Sequence, residues 1–295
     1  MFKRILNETE SAIKLWEIIK SVLSIKERSK NTLVSTRLIQ LLTAHGIHRN
    51  QIPRFLGNGL TLADVQTDEI FLSKLNEQIL NDVCCKFGIQ REWLDGANSQ
   101  IYPVHDFYKR PEDFESFICE ITSNNPKGKL SGVVIAPNES GFMAYGLILL
   151  KEIIDYIGEK EIYRYHICNN WAFSYWKARA YMAACIAVAW RKEVYIRGVY
   201  APAKQIDKII AGKKLLNEDT LNMECKRWYP EDMALCPEKF LDGIDPEIDD
   251  FGIRSGLELW LELDKKGFMD TKLRESPRRY FKNKLDEIKF NDVID

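Results

Sequence analysis

The chain lacks any run of about 18 apolar residues, the length a helix needs to cross a bilayer, so neither a membrane-spanning helix nor a membrane partner is expected. It has four histidines and seven cysteines, but no CxxC pair and no Cys/His metal spacing, so neither a metal nor another cofactor is expected. An odd cysteine count, with Cys84 and Cys85 adjacent, fits reduced thiols in a cytoplasmic protein rather than a disulfide framework. The opening MFKRILNETESAIKLW has early acids, no apolar centre and no small-residue cleavage site, and is read as no secretory signal. Gly128-Lys129 lacks the earlier Gly and following Ser/Thr of a phosphate-binding loop. The acidic stretch Asp242–Asp250 lacks the EF-hand order, which argues against calcium. An overall charge bias is missing too, since 42 basic and 43 acidic residues leave a net of −1.

What is present is ample core material, with 45% apolar residues against 29% charged ones. Phe2–Lys30 carries Ala12, Leu15, Trp16, Ile19, Val22 and Leu23 at helical spacing, a stripe for packing on the next domain or for a homodimer seam. Leu38, Leu41 and Leu42 share a helical face. Leu75, Ile79, Leu80, Val83 and Phe87 share another, stopped by Gly88, and a short turn with Trp93-Leu94 closes at Gly96.

This Phe-Gly-Ile…Trp-Leu-x-Gly ending resembles that of lambda-repressor-like (Cro/XRE-type) helix-turn-helix domains, over about Ser35–Gly96. Ile52, Leu56 and Gly57 match the first helix and turn of that family, with Pro53 in place of a small residue and Gly59 lengthening the turn. The resemblance implies DNA as partner, a recognition helix over Thr61–Glu69, and Arg49, Asn50, Gln51, Arg54, Asn58 and Thr61 as the side chains approaching it. Against this, residues 31–98 hold six basic and seven acidic residues, with Asp64, Asp68 and Glu69 on the reading segment itself. A protein-interaction module that keeps the fold and has lost DNA reading is the alternative.

Beyond Asn98 comes a polar connector whose helix should start at Pro111, with Phe114, Phe117, Ile118 and Ile121 on one face. From Lys129 the pattern turns mixed. Ser131–Pro137 reads as a buried strand, Met143–Ile157 as strand or helix, Glu161–Cys168 as a strand, and Ala172–Lys192 as a helix. Val194–Tyr200 reads as a strand, Ala203–Leu216 as a helix stopped near Gly212, and Gly256–Lys266 as a short helix. The expected class is α+β: an all-α helix-turn-helix-like module followed by a mixed α/β domain, PAS-like in one version. Its parts are an N-terminal helix (1–30), the helical module (31–98), a connector (99–128), an α/β sensor or dimerisation domain (129–270) and a charged tail (271–295).

Charge segregates within the second half: Glu159–Lys214 has eleven basic and four acidic residues, whereas Leu215–Asp270 has fifteen acidic and six basic. The densest chemistry lies in Tyr163–Tyr181, where His166, Trp171, Tyr175, Trp176 and Arg179 form a candidate site for a small-molecule effector. The same basic and aromatic stretch could equally stack single-stranded nucleic acid or simply pack as core. Cys168 two residues from His166 raises a nucleophile pair, but no orienting group accompanies it, and no catalytic residue is assigned. His45, His48 and His105 read as surface or capping residues.

Overall fold

The computed structural model describes residues 34–138, 144–218, 226–244 and 252–291. The expected helix Phe2–Lys30 and the acidic residues 245–250 lie outside them. The chain is mixed α and β and falls into two compact units. One runs to Ser99 without Lys86–Gly88; the other takes those three residues and everything from Gln100. The stretch read as a connector therefore groups with the second unit.

The first unit is helical. Helix α1 covers 34–44, and a 3-10 turn Arg49–Gln51 leads into α2, Ile52–Leu56, with Pro53 in its first turn where its missing N–H costs nothing. Gly57, Asn58 and Gly59 all take positive φ, reversing the chain. Thr61–Glu69 then differs from the expected single helix. It holds a 3-10 turn, Ala63–Val65, and only the first residues of α3, Asp68–Lys74. Thr67 breaks it, because its extended backbone and a hydroxyl accepting from the Ile70 N–H make it an N-cap. Asp68 and Glu69 so fall in α3's first turn, where acids favour the helix dipole. Helix α4, Glu77–Phe87, ends at Gly88, whose φ of +63° lets the Ile89 N–H reach the Cys84 carbonyl. Helix α5, Arg91–Leu94, buries Trp93 and Leu94; Arg37 of α1 donates to the Trp93 carbonyl and lies over its indole. His45, expected at the surface, is buried in the closing turn of α1.

The second unit is built on one mixed sheet in the order β1-β4-β3-β2-β5-β6. Its strands are β1 (Val104–Asp106), β2 (Leu130–Pro137), β3 (Tyr145–Ile157), β4 (Lys160–Ala172), β5 (Tyr195–Ala201) and β6 (Arg227–Trp228). β2, β3 and β4 run as an antiparallel meander, β3 and β4 joined at Gly158-Glu159, while β5 returns parallel to β2 and β1 lies parallel to β4. Two parallel pairings separate this sheet from a wholly antiparallel, PAS-like one. Of Met143–Ile157, which periodicity leaves undecided, Tyr145–Ile157 is a strand, and its consecutive buried residues Gly146–Leu150 lie on both faces, which erases alternation.

One face packs on α6 (Pro111–Asn124) and α7 (Trp176–Arg191), and the same core takes in α9 (Asp232–Leu235), α10 (Pro237–Leu241), α11 (Gly252–Lys265) and α12 (Arg278–Asn291). Six buried alanines, Ala178, Ala180, Ala183, Ala184, Ala187 and Ala189, let α7 approach its neighbours closely. Glu115 of α6 holds its end by ion pairs to Arg191 (2.8 Å) and Lys192 (2.9 Å). On the other face α8 (Ala203–Ile210) buries Ile206 and Ile209. The region read as tail forms α12, whose Phe281 stacks on Trp260 with ring centroids 3.6 Å apart. Truncating that ring in Phe281→Ala should cost about 3–5 kcal/mol; chemical denaturation followed by tryptophan fluorescence measures it, and a loss below about 1 kcal/mol would contradict the packing described.

Candidate functional site

The first turn of α7 follows directly on β4, and this places Arg179 where the ends of β5, β6 and α10 converge. A crevice of about 260 Å³ opens there, lined by Arg179, Tyr200, Lys226, Arg227, Trp228, Tyr229, Asp232, Met233, Lys239 and Asp242. Arg179 is 2% exposed, yet makes no ion pair among the described residues. Its guanidinium donates to main-chain carbonyls instead: Phe240 at 2.6 Å, Lys239 at 2.9 Å, Phe173 at 3.4 Å, and Asp242. Three of these belong to the C-terminal turn of α10 and the residue after it, where the helix dipole favours a cation. Burial pushes its pKa down to about 10, which still leaves it charged at neutral pH.

The crevice wall is aromatic. Tyr200 and Trp228 stack with centroids 5.4 Å apart and planes 27° from parallel, and Phe173 meets Trp228 edge-on at 6.0 Å. Gly198 is what admits the indole: a Cβ there would lie 2.7 Å from Trp228 ring atoms and from its carbonyl oxygen. Burial raises the Tyr200 hydroxyl pKa and the neighbouring Arg179 opposes that, so the group is neutral near pH 7. Lys226, Arg227 and Lys239 are exposed and make no ion pair among the described residues.

The five residues expected to form one ligand site are dispersed by the fold. Arg179 lines the crevice. Trp171 is wholly buried in the core. Tyr175 and Trp176 pack edge-on at 5.7 Å beside the start of α7. His166 belongs to a separate cluster, where its Nε2 lies 3.0 Å from a carboxylate oxygen of Glu152 on β3. Glu152, 4% exposed, also accepts from Asn125 (2.9 Å) and faces Arg164 (3.6 Å). Burial opposes its charge, but the hydrogen bonds from His166 and Asn125 and the Arg164 charge win, and its pKa sits below the ordinary 4.5. Nearby His105 is half-buried against Phe117, ring centroids 4.5 Å apart, and burial lowers its pKa. Cys168 is fully buried and its thiol pKa is driven far up, so no thiolate is available for nucleophilic chemistry.

Of the residues expected at DNA, Arg49 pairs with Asp68 and donates to the Val65 carbonyl at 3.1 Å. Gln51 accepts from the His48 N–H at 2.9 Å, and Thr61 donates through its N–H and hydroxyl to Asp64 at 2.8 and 2.7 Å. Asn50, Arg54 and Asn58 are exposed.

No family model matches this chain, and neither a curated protein nor a solved structure does.

Sequence pattern did not single out Tyr200, Lys226, Arg227, Trp228 or Lys239. The signal available was the tetrapeptide Lys226-Arg227-Trp228-Tyr229, basic and aromatic within an acidic stretch. Two outcomes follow from the geometry. Arg179→Lys cannot reach all its carbonyls and should destabilise the fold by about 2–4 kcal/mol, whereas exposed Arg227→Gln should stay within about 0.5 kcal/mol; urea midpoints compare them. The second concerns acid. A carboxylate with a depressed folded pKa stabilises above its unfolded pKa near 4.5, and that contribution is lost as pH falls through the folded value. Urea midpoints measured from about pH 3 to 7 should fall more steeply on the acid side in the native chain than in Glu152→Gln; parallel curves would show that Glu152 contributes nothing.

Proposed function

We propose that this chain is a two-unit regulator, in which the sheet unit senses a small-molecule effector in the Arg179 crevice and the helical unit associates with DNA. The observation that carries it is the convergence of three cations, without ion pairs among the described residues, and a buried guanidinium on one aromatic-walled cavity. Small-molecule sites combine apolar walls with a few placed polar groups, and they favour crevices at strand ends in α/β sheets. Such a reading needs no catalytic residue. The DNA half is supported by the buried Phe87, Ile89, Trp93 and Leu94 of the family-like ending and by exposed Asn50, Arg54 and Asn58 beside the Gly57–Gly59 turn.

A second reading of the helical unit has its own observation. Arg49 and Lys74 are taken up by Asp68 and Asp64, while Leu62 and Ile70 are exposed at 62% and 39%, a surface suited to a protein partner rather than to phosphates. Electrophoretic retardation of genomic fragments by the full chain, from about 50 to 200 mM salt, separates the two. DNA association predicts binding that weakens steeply with salt, with the log–log slope reduced by about one in Arg54→Ala. Absence of retardation at the lowest salt, with protein and no DNA co-purifying, selects the assembly reading.

A further inference from the structure

We infer that the Arg179 crevice takes an organic anion, a phosphate or carboxylate carried on a planar ring; this rests on reading the sheet unit as a ligand sensor. Leu215–Asp270 has six basic residues among fifteen acidic ones. Away from the crevice, Arg254 pairs with Glu258 (3.3 Å) and Lys266 with Glu262 (2.6 Å), while Lys265 makes no ion pair among the described residues. Lys226, Arg227 and Lys239 line the crevice and pair with nothing among the described residues, although acids are abundant in the same stretch. Three cations that line one cavity without an ion pair among the described residues give it a local positive field.

The lining acids do not cancel it. Asp232 and Asp242 stand against Arg179, Lys226, Arg227 and Lys239, so the lining stays net positive. Arg179 contributes charge from below, since its hydrogen bonds go to neutral carbonyls, and the nearby Asp242 carboxylate favours that charge without an ion pair to it. A planar group then has the Tyr200–Trp228 wall to lie against, and aromatic faces also hold cations beside them. Size sets the last limit: about 260 Å³ is at the small end for ligand cavities, which suits a single ring with one anionic group.

The full chain should be titrated with phenyl phosphate, benzoate, inorganic phosphate and neutral benzyl alcohol, reading tryptophan fluorescence and thermal unfolding. Expected are saturable responses to phenyl phosphate or benzoate that weaken as salt rises, with little response to benzyl alcohol. The triple variant Lys226→Gln/Arg227→Gln/Lys239→Gln should bind about tenfold more weakly or worse, while Arg254→Gln should bind as the native chain does. Inorganic phosphate binding as tightly as phenyl phosphate would overturn the planar-ring part. Equal binding of benzyl alcohol and phenyl phosphate would overturn the anion assignment and leave a ligand crevice standing. No response to any probe, charged or neutral, would overturn this assignment and the sensor reading together.

Discussion

A positive charge enclosed without an ion pair is costly unless dipoles replace its hydration, and the sheet unit meets that requirement at Arg179, which among the described residues hydrogen-bonds to carbonyls. The guanidinium gathers the last carbonyls of α10, so the start of α7 and the end of α10 are held to one point. Gly243 lets the chain turn there at a φ of +112°, and a Cβ on it would come within 3.1 Å of the guanidinium. With α10 held in this way, Lys239 and Asp242 face Tyr200 and Trp228, and the crevice follows. Loosen that one knot and the cavity has no floor.

Glu152 shows the opposite solution to the same problem. Its carboxylate is surrounded by side chains of complementary character, His166, Asn125 and Arg164, and Asn125 also accepts from the Gly128 N–H at 3.0 Å. Nothing is left over for a ligand, and the cluster secures the α6–β2 loop to the sheet. The outer cations of the Arg179 crevice make no ion pair among the described residues. That contrast, more than any single distance, separates a closed polar cluster from an open one.

Much of the architecture could be read in advance where one face of an element was buried. Pro111 starts α6, the alanines mark α7, and Gly88 and Gly96 stop their helices. Legibility failed where local pattern was overridden. Leu147–Leu150 is a continuous apolar run buried on both faces of β3, so no period distinguishes strand from helix there. A single helix over Thr61–Glu69 followed from the family resemblance alone, and the Thr67 cap divides it. The crevice was the least legible part, because Arg179, Tyr200, Trp228 and Lys239 come from four elements and meet only through sheet order and the pinning of α10. His166 and Arg179 are close in sequence, yet β4 and α7 carry them to different clusters.

Gly198 has a consequence beyond its own strand. It does not line the crevice, but the absence of a side chain there is what lets the Trp228 indole lie flat on β5. The depth of the cavity is therefore set from behind its wall, by one hydrogen atom in place of a methyl. A side chain at that position would collide with the indole and with the Trp228 carbonyl alike, so the width of the opening is tied to how closely β6 lies against β5.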